Sequence, residues 1–511
     1  MVELSTQPPG VSVHQSGAQT RLSPLVVIFL VGVCVPLLFS LGGVVFNIIR
    51  LLTLIMFVPL FVGLYTGRYG GVKLPDWAML FYTFWVAITL FKAHGASSVQ
   101  LSASNTLEFM GSYMLARAYI RNLAQFVAMA KILGILVCLT LPLAVYEAMT
   151  GHPILLNYFN SLPFFYGLPP NYAEVRLGLE RVQLTFDTAI HYGIFCALAI
   201  ALTHMVWGGG LSVFGRYART TIVSICCFLS LSSAPLIGMA MQFGLMSWDH
   251  IFKSIRQRWQ LFGLMCLGLY VAVALSSSRP VINVFMTYMT FNATNAWWRL
   301  AAFEWGMKTI WKYPIFGIGM NDWERAEWMF SPSVDNYWLA TTMRNGIPAF
   351  LALVIVFGYT LYRVIRTDFN ASEPHSIAKR AWCFAMGGLI FSLATVYMWG
   401  STHALIYFFV GAGVWMTEPL AVGTGQPTDK NTQAEASDLR GGGPFVYSRK
   451  AHGTSRHPAV PSNRPATAAN RPISAPNPRP SSTVPREATR RTGARLPYTR
   501  PVRPPGRPEG E

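Results

Sequence analysis

The chain has 511 residues, of which 52% are hydrophobic and only 12% are charged, with a mean hydropathy of +0.37. A soluble domain usually carries about 25% charged residues, so this composition excludes a soluble globular protein. The formal net charge is +18, and half of it falls within residues 421–511, which contain 15 Lys/Arg and 6 Asp/Glu.

Apolar stretches recur along the first 420 residues, many of them near the length of about 20 residues that crosses a bilayer. We predict about 12 transmembrane helices, at residues 24–41, 45–65, 77–91, 106–121, 128–148, 186–206, 214–231, 234–251, 260–276, 338–362, 381–397 and 400–417. Residues 1–22 are short and polar, and no small-residue cleavage site follows the first apolar stretch, which predicts an uncleaved first helix. The predicted fold class is an all-α polytopic membrane protein, with its membrane domain at residues 23–420.

Lysine and arginine residues fall in alternate loops, which predicts that both termini are cytoplasmic. Two long loops, at residues 149–185 and 277–337, then face outward. Long loops in compact proteins are frequently functional. The second loop is rich in tryptophan, and aromatic side chains on a helix suit the headgroup region of a bilayer. We therefore predict that this loop contains interfacial helices.

The C-terminal segment, residues 421–511, contains 15 of the 33 prolines among Gly, Ser, Thr and Ala. Such a composition buries too little apolar surface to offset the entropy of ordering, so we predict a disordered cytoplasmic tail. Its arginines lack interleaved aromatic residues, which favours anionic membrane lipids over nucleic acid as a partner. A purely solubilising tail is the alternative.

Charged residues cluster in both outward loops. Arg176, Arg181, Asp187 and His191 lie where the chain re-enters the bilayer after the first loop. The second loop contributes Arg279, Arg299, Glu304, Asp335 and Asn336, with Arg344 in the apolar run that follows. Guanidinium groups bind phosphate oxygens in a bidentate manner, and a charge within the hydrocarbon region indicates function by default.

Each of these residues also has a structural interpretation. Glu304 and Lys308, four residues apart, would form only a helix-surface pair, and Asp335 would cap the helix that begins there. The arginines 176 and 279 would reach out to lipid headgroups, and His191 would be a packed, hydrogen-bonded histidine. On an ideal helix Asp335 and Arg344 fall on opposite faces. They share a cavity only if the helix begins after Asp335 or is irregular.

Several chemistries are not indicated by the sequence. No GxxxxGK[ST] stretch is present, so no nucleotide-driven pump is encoded in these residues. No HExxH, DxD or GxSxG pattern occurs, and the seven cysteines lie in apolar stretches without metal-site spacing. We predict neither a metal nor a cofactor.

The stretch WWRLAAFEWGMKTIWKYPIFGIGMNDW (297–323), followed by SVDNYWLATTMRNGIPAF (333–350), resembles the signature region of the O-antigen ligase and polysaccharide polymerase superfamily. The turn at residues 314–319 and the pair Asp335-Asn336 match its motifs. RVQLTFDTAIHYG (181–193) is similar to a further family element but has Thr188 and Ala189 where His-Pro is usual. LSSAPL (231–236) lacks the arginine of the family's Ser-Arg-Gly element. The resemblance spans about residues 175–400.

The resemblance implies a GT-C-like bundle and a metal-independent, inverting glycosyltransferase on the outer face of the bacterial inner membrane. Its donor would be a glycan linked to undecaprenyl pyrophosphate, and its acceptor a glycan hydroxyl. Asp335 stands where the ligases have a histidine, which favours a polymerase of exopolysaccharide or O-antigen repeat units. A chain-length regulator of the co-polymerase type is a possible partner.

On this hypothesis Arg181 and Arg299 hold the donor pyrophosphate, with Arg344 below them, and Asp335 engages the acceptor. Arg176, Arg279, Asn336, His191 and Glu304 are the further substrate-binding candidates. One alternative is an O-antigen ligase that transfers the glycan to lipid A core or another acceptor. Another is a transporter or flippase of lipid-linked sugars. Polar residues concentrated in outer loops, without repeated halves, disfavour the transporter.

Overall fold

The computed structural model describes residues 21–41, 44–170, 174–210, 212–277, 284, 293–369 and 372–419. The site candidate Arg279, residues 1–20 of the N-terminal segment predicted at 1–22, and the tail predicted at 421–511 lie outside the described residues.

The described chain is mostly helical. Its helices are α1 Pro24–Cys34, α2 Ile48–Tyr65, α3 Leu74–His94, α4 Val99–Thr106, α5 Ser112–Tyr119, α6 Leu123–Thr150, α7 Ile154–Asn160, α8 Ala189–Ala201, α9 Val213–Leu229, α10 Ser233–Ile251, α11 Arg258–Ser276, α12 Ala293–Lys312, α13 Tyr337–Val354, α14 Thr360–Arg366, α15 Glu373–Leu393 and α16 Gly400–Gly411. Two short antiparallel strands, β1 Phe39–Leu41 and β2 Val44–Phe46, pair with Phe39 opposite Phe46.

Six helical segments among the described residues are long and apolar enough to cross a membrane: Ile48–Tyr65, Leu74–Tyr119, Leu123–Thr150, Ala189–Trp207, Arg258–Ser276 and Tyr337–Arg366. These segments and the helical content agree with an all-α membrane protein. The predicted number of about twelve spans stays a prediction.

The first apolar stretch differs from its predicted length. Residues 24–41 were expected to form one span, but α1 ends at Cys34 and the chain continues into β1. Pro36 follows closely, and a proline disfavours helical geometry in the residue before it. At 11 residues, α1 is about 16 Å long, roughly half of the hydrocarbon thickness.

Local sequence explains where the longest single helix begins and ends. Asn122 precedes α6 in an extended conformation, and its side-chain oxygen accepts a hydrogen bond from Gln125 N at 2.9 Å. The helix ends at Gly151, which adopts a left-handed conformation with φ 70°. These are the amide cap and the glycine stop that helix termini favour.

Two apolar clusters hold the described helices together. The larger cluster includes buried side chains from most of the helices between α1 and α16. The smaller cluster packs α12 and the following loop against α13, and it consists of Ala301, Ala302, Ile310, Trp323, Met329, Leu339 and Met343. The signature segment of the second loop is therefore fixed directly on the helix that carries Arg344.

Candidate active site

The start of α13 separates the roles of Asp335 and Asn336. Asn336 is the residue before the helix, and its side-chain oxygen accepts a hydrogen bond from Leu339 N at 3.0 Å. The expected alternative that Asp335 caps this helix is therefore wrong, because the neighbouring amide does so. The Asp335 carboxylate is exposed and accepts a hydrogen bond from Ser333 Oγ at 2.9 Å.

A break in α13 fits the turn at residues 314–319. Gly346 has φ 78° within the helix, which interrupts the backbone hydrogen-bond ladder. Ile318 N and Gly319 N donate to the carbonyls of Met343 and Arg344, at 2.9 and 2.8 Å. The turn thus satisfies backbone acceptors next to the break, and it fixes the backbone of Arg344 from outside the helix.

The Arg344 side chain is fixed by one aromatic residue. Its Nη1 donates to the hydroxyl of Tyr397 at 2.6 Å, and its guanidinium lies 4.6 Å from the centre of the same ring. Within the part of the chain that the structure describes, Arg344 forms no salt bridge with a carboxylate. Its positive charge is consequently available to a ligand.

The segment after Arg181 is held by a carboxylate at the end of α6. Glu147 is buried and accepts hydrogen bonds from the backbone N–H groups of Gln183, at 2.6 Å, and Leu184, at 3.1 Å. Two charge-assisted bonds to one carboxylate constrain a loop that has no regular secondary structure of its own. The Arg181 backbone is thereby fixed relative to the bundle.

Three arginines and Asp335 line one cavity of about 340 Å³, which we call the arginine cavity. Arg176 and Arg181 come from the first loop, whereas Arg299 comes from α12. Arg176 Nη1 donates to Leu231 O at 2.8 Å, and Arg181 Nη2 donates to the Ser232 hydroxyl at 2.8 Å. The fold thus brings together residues more than 100 positions apart.

Part of the donor capacity of these arginines is unused. Arg181 Nε, Arg299 Nε and Arg299 Nη1 are buried and have no hydrogen-bond partner among the described residues. None of the three arginines forms a salt bridge there. Buried polar groups are normally satisfied, so unpaired guanidinium N–H groups that line a cavity indicate a site for an anion.

Burial and mutual repulsion lower the pKa values of two of these arginines, Arg181 and Arg299. Burial, helped by the charge of Arg176, lowers the pKa of Arg181 to about 10. Burial also lowers the pKa of Arg299, and the carboxylate of Asp335 opposes that shift. Arg181 is still cationic at neutral pH, and an anion in the cavity would relieve the cost of these buried charges.

A second space of about 400 Å³, the central cavity, connects the two ends of the site. Asp335 lines both the arginine cavity and the central cavity, and Arg344 lines the central cavity as well. Because α13 begins only at Tyr337, the ideal-helix objection to their sharing a cavity does not apply.

His191 lines the central cavity but is held by its neighbours. It is buried, its Nδ1 lies 2.6 Å from Thr188 Oγ1, and its Nε2 accepts from Trp399 N at 3.4 Å. The ring also meets the Trp399 indole edge-on, with centroids 4.3 Å apart. Both ring nitrogens are engaged, as the interpretation of a hydrogen-bonded histidine expects.

Glu304 lies apart from these cavities. It is exposed on α12 and lines none of the cavities described here. Lys308 does not pair with it, because the Lys308 ammonium lies over the Trp305 ring at 4.0 Å.

Some residues of the site carry little signal in the sequence. Ser232 and Tyr397, which hold the guanidinium groups of Arg181 and Arg344, lie in the linkers before α10 and α16. Tyr397 matches no spacing pattern, and Ser232 lies in the stretch 231–236, which matches its family element only in part. Asp187, by contrast, belongs to the charged cluster that the sequence places at the re-entry to the bilayer, together with Arg181 and His191. The next space, of about 540 Å³, has Asp187 and Trp399 in its wall.

Comparison with known protein families gives one match. Residues 218–354 match the family model described as O-antigen ligase. The matched stretch includes Arg299, the turn at 314–319, Asp335 and Arg344, and it confirms the resemblance to the O-antigen ligase and polymerase superfamily. A comparison with curated proteins gives no significant match. The family match supports a glycosyltransferase-like, ligase- or polymerase-type function that acts on lipid-linked glycans.

Proposed function

We propose that this protein is a bacterial inner-membrane glycosyltransferase that polymerises repeat units linked to undecaprenyl pyrophosphate. The products would be exopolysaccharide or O-antigen. The observation that carries the proposal is the arginine cavity, whose buried, unpartnered guanidinium N–H groups lie beside the Asp335 carboxylate. An anion-binding wall next to a carboxylate meets the two requirements of glycosyl transfer from a lipid pyrophosphate.

The arginines serve the leaving group. As the bond between the anomeric carbon and the pyrophosphate oxygen breaks, negative charge grows on that oxygen. Arg181 and Arg299 carry the unpartnered N–H groups that would donate to it. Fixed donors in a site that excludes water stabilise such charge without reorganising, and they take the place of a metal ion in the inverting mechanism that we propose.

Asp335 serves the acceptor. A hydroxyl of the incoming glycan attacks the anomeric carbon from the face opposite the pyrophosphate, and its proton leaves as the new glycosidic bond forms. The exposed carboxylate of Asp335, held by Ser333, is placed between the arginine and central cavities to accept that proton or orient the hydroxyl. Arg344 lies further along the central cavity and adds positive charge there.

The main rival is the ligase, which the description of the matched family favours. The two enzymes differ in the acceptor that they require. Purified protein in nanodiscs, supplied with lipid-linked repeat units alone, makes a ladder of products if it is a polymerase. A ligase makes none until a lipid A core or another terminal acceptor is added.

Alanine variants test the proposed residues. Arg181→Ala and Asp335→Ala should insert normally but stop polymer formation, so that single lipid-linked repeats accumulate. Lys308→Ala is the matched control, because Lys308 is an exposed cation on the same helix as Arg299 and lines none of the described cavities. Normal polymer from both site variants would refute the assignment.

Topology provides a separate test. Reporter fusions within residues 149–185 and 277–337 should place both loops in the periplasm, with both termini in the cytoplasm. A cytoplasmic position for the second loop would contradict both the polymerase and the ligase hypotheses. It would leave the transporter of lipid-linked sugars as the candidate.

A further inference from the structure

The space of about 540 Å³ that begins beyond Arg344 is the largest of the described cavities, and we call it the Asp187 cavity. It shares Arg344, Tyr397 and Trp399 with the central cavity. Its walls include residues of α1, α2, α3 and α4, the middle of α13 and the start of α16. Most of its lining lies outside the residues matched by the family.

The charges of this cavity are balanced, unlike those of the arginine cavity. Arg50 Nε and Glu108 Oε1 form a salt bridge of 2.7 Å in its wall, and Arg50 Nη1 also donates to Val45 O at 2.7 Å. The remaining charged groups of the wall are Asp187 and Arg344. Two positive and two negative side chains leave no surplus charge to select a phosphate.

The Asp187 carboxylate lies in the cavity wall, where burial disfavours its charged form. Gly400 has φ 62°, and a Cβ there would lie 2.5 Å from Asp187 Oδ2, so only glycine allows this close approach. Burial raises the pKa of Asp187 to about 6, while Trp399 and Arg50 oppose the shift. A partly buried carboxylate that lines a cavity is a candidate group for binding a ligand.

The rest of the wall combines aromatic surfaces with neutral polar groups. Trp399 is 44% exposed, and Tyr82 lines the cavity with it. Asn47 and Asn105 add amide groups. Carboxylate oxygens accept hydrogen bonds from hydroxyls, amides donate and accept them, and an indole face covers apolar C–H groups. A volume of about 540 Å³ falls within the range of small-ligand sites, about 300–1,000 Å³.

We propose that the Asp187 cavity is the subsite for the glycan of the acceptor substrate, with Asp187 receiving sugar hydroxyl groups and Trp399 packing on a sugar face. This inference rests on the proposed function, because it takes the acceptor hydroxyl to lie at Asp335. From there the acceptor glycan runs through the central cavity, past Arg344, into the Asp187 cavity. The pyrophosphate of the donor lies at the opposite end, among the arginines.

Two probes separate the ends of the site in a binding experiment. The first probe is undecaprenyl pyrophosphate, which lacks sugars, and the second is the glycan of one repeat unit, released from its lipid so that it lacks the pyrophosphate. Both are titrated into the full-length protein in nanodiscs. The parent protein should bind each probe, the bare lipid at the arginine cavity and the free glycan at the Asp187 cavity through charge-assisted hydrogen bonds.

Asp187→Asn and Trp399→Ala should each weaken binding of the free glycan about tenfold or more while leaving the affinity for the bare lipid unchanged. Trp311→Ala is the matched control, since Trp311 is 70% exposed and lines none of the described cavities. A parent protein that does not bind the free glycan, or variants that bind it as tightly as the parent protein does, would overturn the inference. In turnover assays the same variants should raise the acceptor KM about tenfold or more with kcat retained.

Failure of the proposed function gives a different result. Arg181→Ala should weaken the bare lipid and leave the free glycan unaffected, because only the lipid carries the pyrophosphate. If Arg181→Ala leaves the affinity for the bare lipid unchanged, the arginine cavity is not the pyrophosphate site. If Arg181→Ala weakens the bare lipid but the Asp187 and Trp399 variants do not affect the free glycan, only the acceptor subsite is refuted.

Discussion

Arg299→Met separates a functional arginine from a structural one. Arg299 sits on α12 in the wall of the arginine cavity, and its Nε and Nη1 are buried without a hydrogen-bond partner in the part of the chain that the structure describes. Methionine is unbranched and flexible, so it replaces the aliphatic stem while removing the charge and the unsatisfied donors. Replacing a structural arginine would lower the stability of the fold. Replacing a functional one would impair only substrate binding and turnover.

The expected changes in stability and in kcat follow from the two buried atoms Arg299 Nε and Nη1. A buried unsatisfied donor costs about 1–3 kcal/mol, so the variant should unfold at the same temperature as the parent protein or at a higher one. The loss of a charge-stabilising donor from an active site lowers kcat by about 10²–10³, or about 3–4 kcal/mol of transition-state stabilisation. Arg299→Lys keeps the charge but loses the planar fork, so its activity should fall between the two.

The assay combines both readouts on one preparation. Tryptophan fluorescence of the purified protein in nanodiscs reports thermal unfolding, and gel separation of the products reports polymer formed from lipid-linked repeats. Activity within about tenfold of the parent protein would refute the role of Arg299 in catalysis. A clear fall in the unfolding temperature would show that the guanidinium supports the fold, contrary to the argument from its unpaired atoms.

Three further substitutions test the framework of the site. Gly346→Ala should disrupt the backbone at the break in α13 and so lower the unfolding temperature or abolish activity. The reason is that φ 78° is strained for alanine and that its Cβ would lie 1.9 Å from Ile315 O. An unfolding temperature and an activity equal to those of the parent protein would contradict this. Glu147→Ala should lower the unfolding free energy by about 2–5 kcal/mol, because two buried N–H groups lose their acceptor; denaturation measures it, and Glu147→Gln, which keeps one acceptor oxygen, should lose less. The pKa of Asp187 is raised from 3.8 to about 6, so the folded state binds the proton more tightly than the unfolded state does. Stability due to this group is therefore complete below pH 3.8 and is lost as the pH rises through about 6, by about 3 kcal/mol. Asp187→Asn should melt at a higher temperature than the parent protein at pH 7.5 and at a similar one near pH 4, and equal melting temperatures at pH 7.5 would contradict the assigned cause.

The family resemblance was available from sequence because its motifs are local. The turn at 314–319 and the Asp335-Asn336 pair are short runs of defined order, and the family match covers both. The long apolar helices were equally accessible, since a bilayer imposes a length and a composition on any helix that crosses it. The exact ends of the helices were harder to predict from the sequence. α1 ends at Cys34, well before the apolar stretch does.

Contacts between distant segments could not be predicted from any sequence pattern. Glu147 holds the backbone after Arg181, and Tyr397 holds Arg344, across tens of intervening residues. The Arg50–Glu108 pair is a further example, since neither residue stands in a motif. Such contacts depend on how helices pack, and packing is set by many side chains at once.

By itself, the sequence determined the membrane environment, the dominant secondary structure and the resemblance to the superfamily, because apolar length, charge content and short motifs are properties of neighbouring residues. Only the tertiary structure decided which charges share a cavity. It starts α13 after Asp335, so that Asp335 and Arg344 line one space, and it leaves Glu304 outside. The physical reason is that a helix start and a single positive φ redirect side chains by amounts that residue spacing alone does not specify.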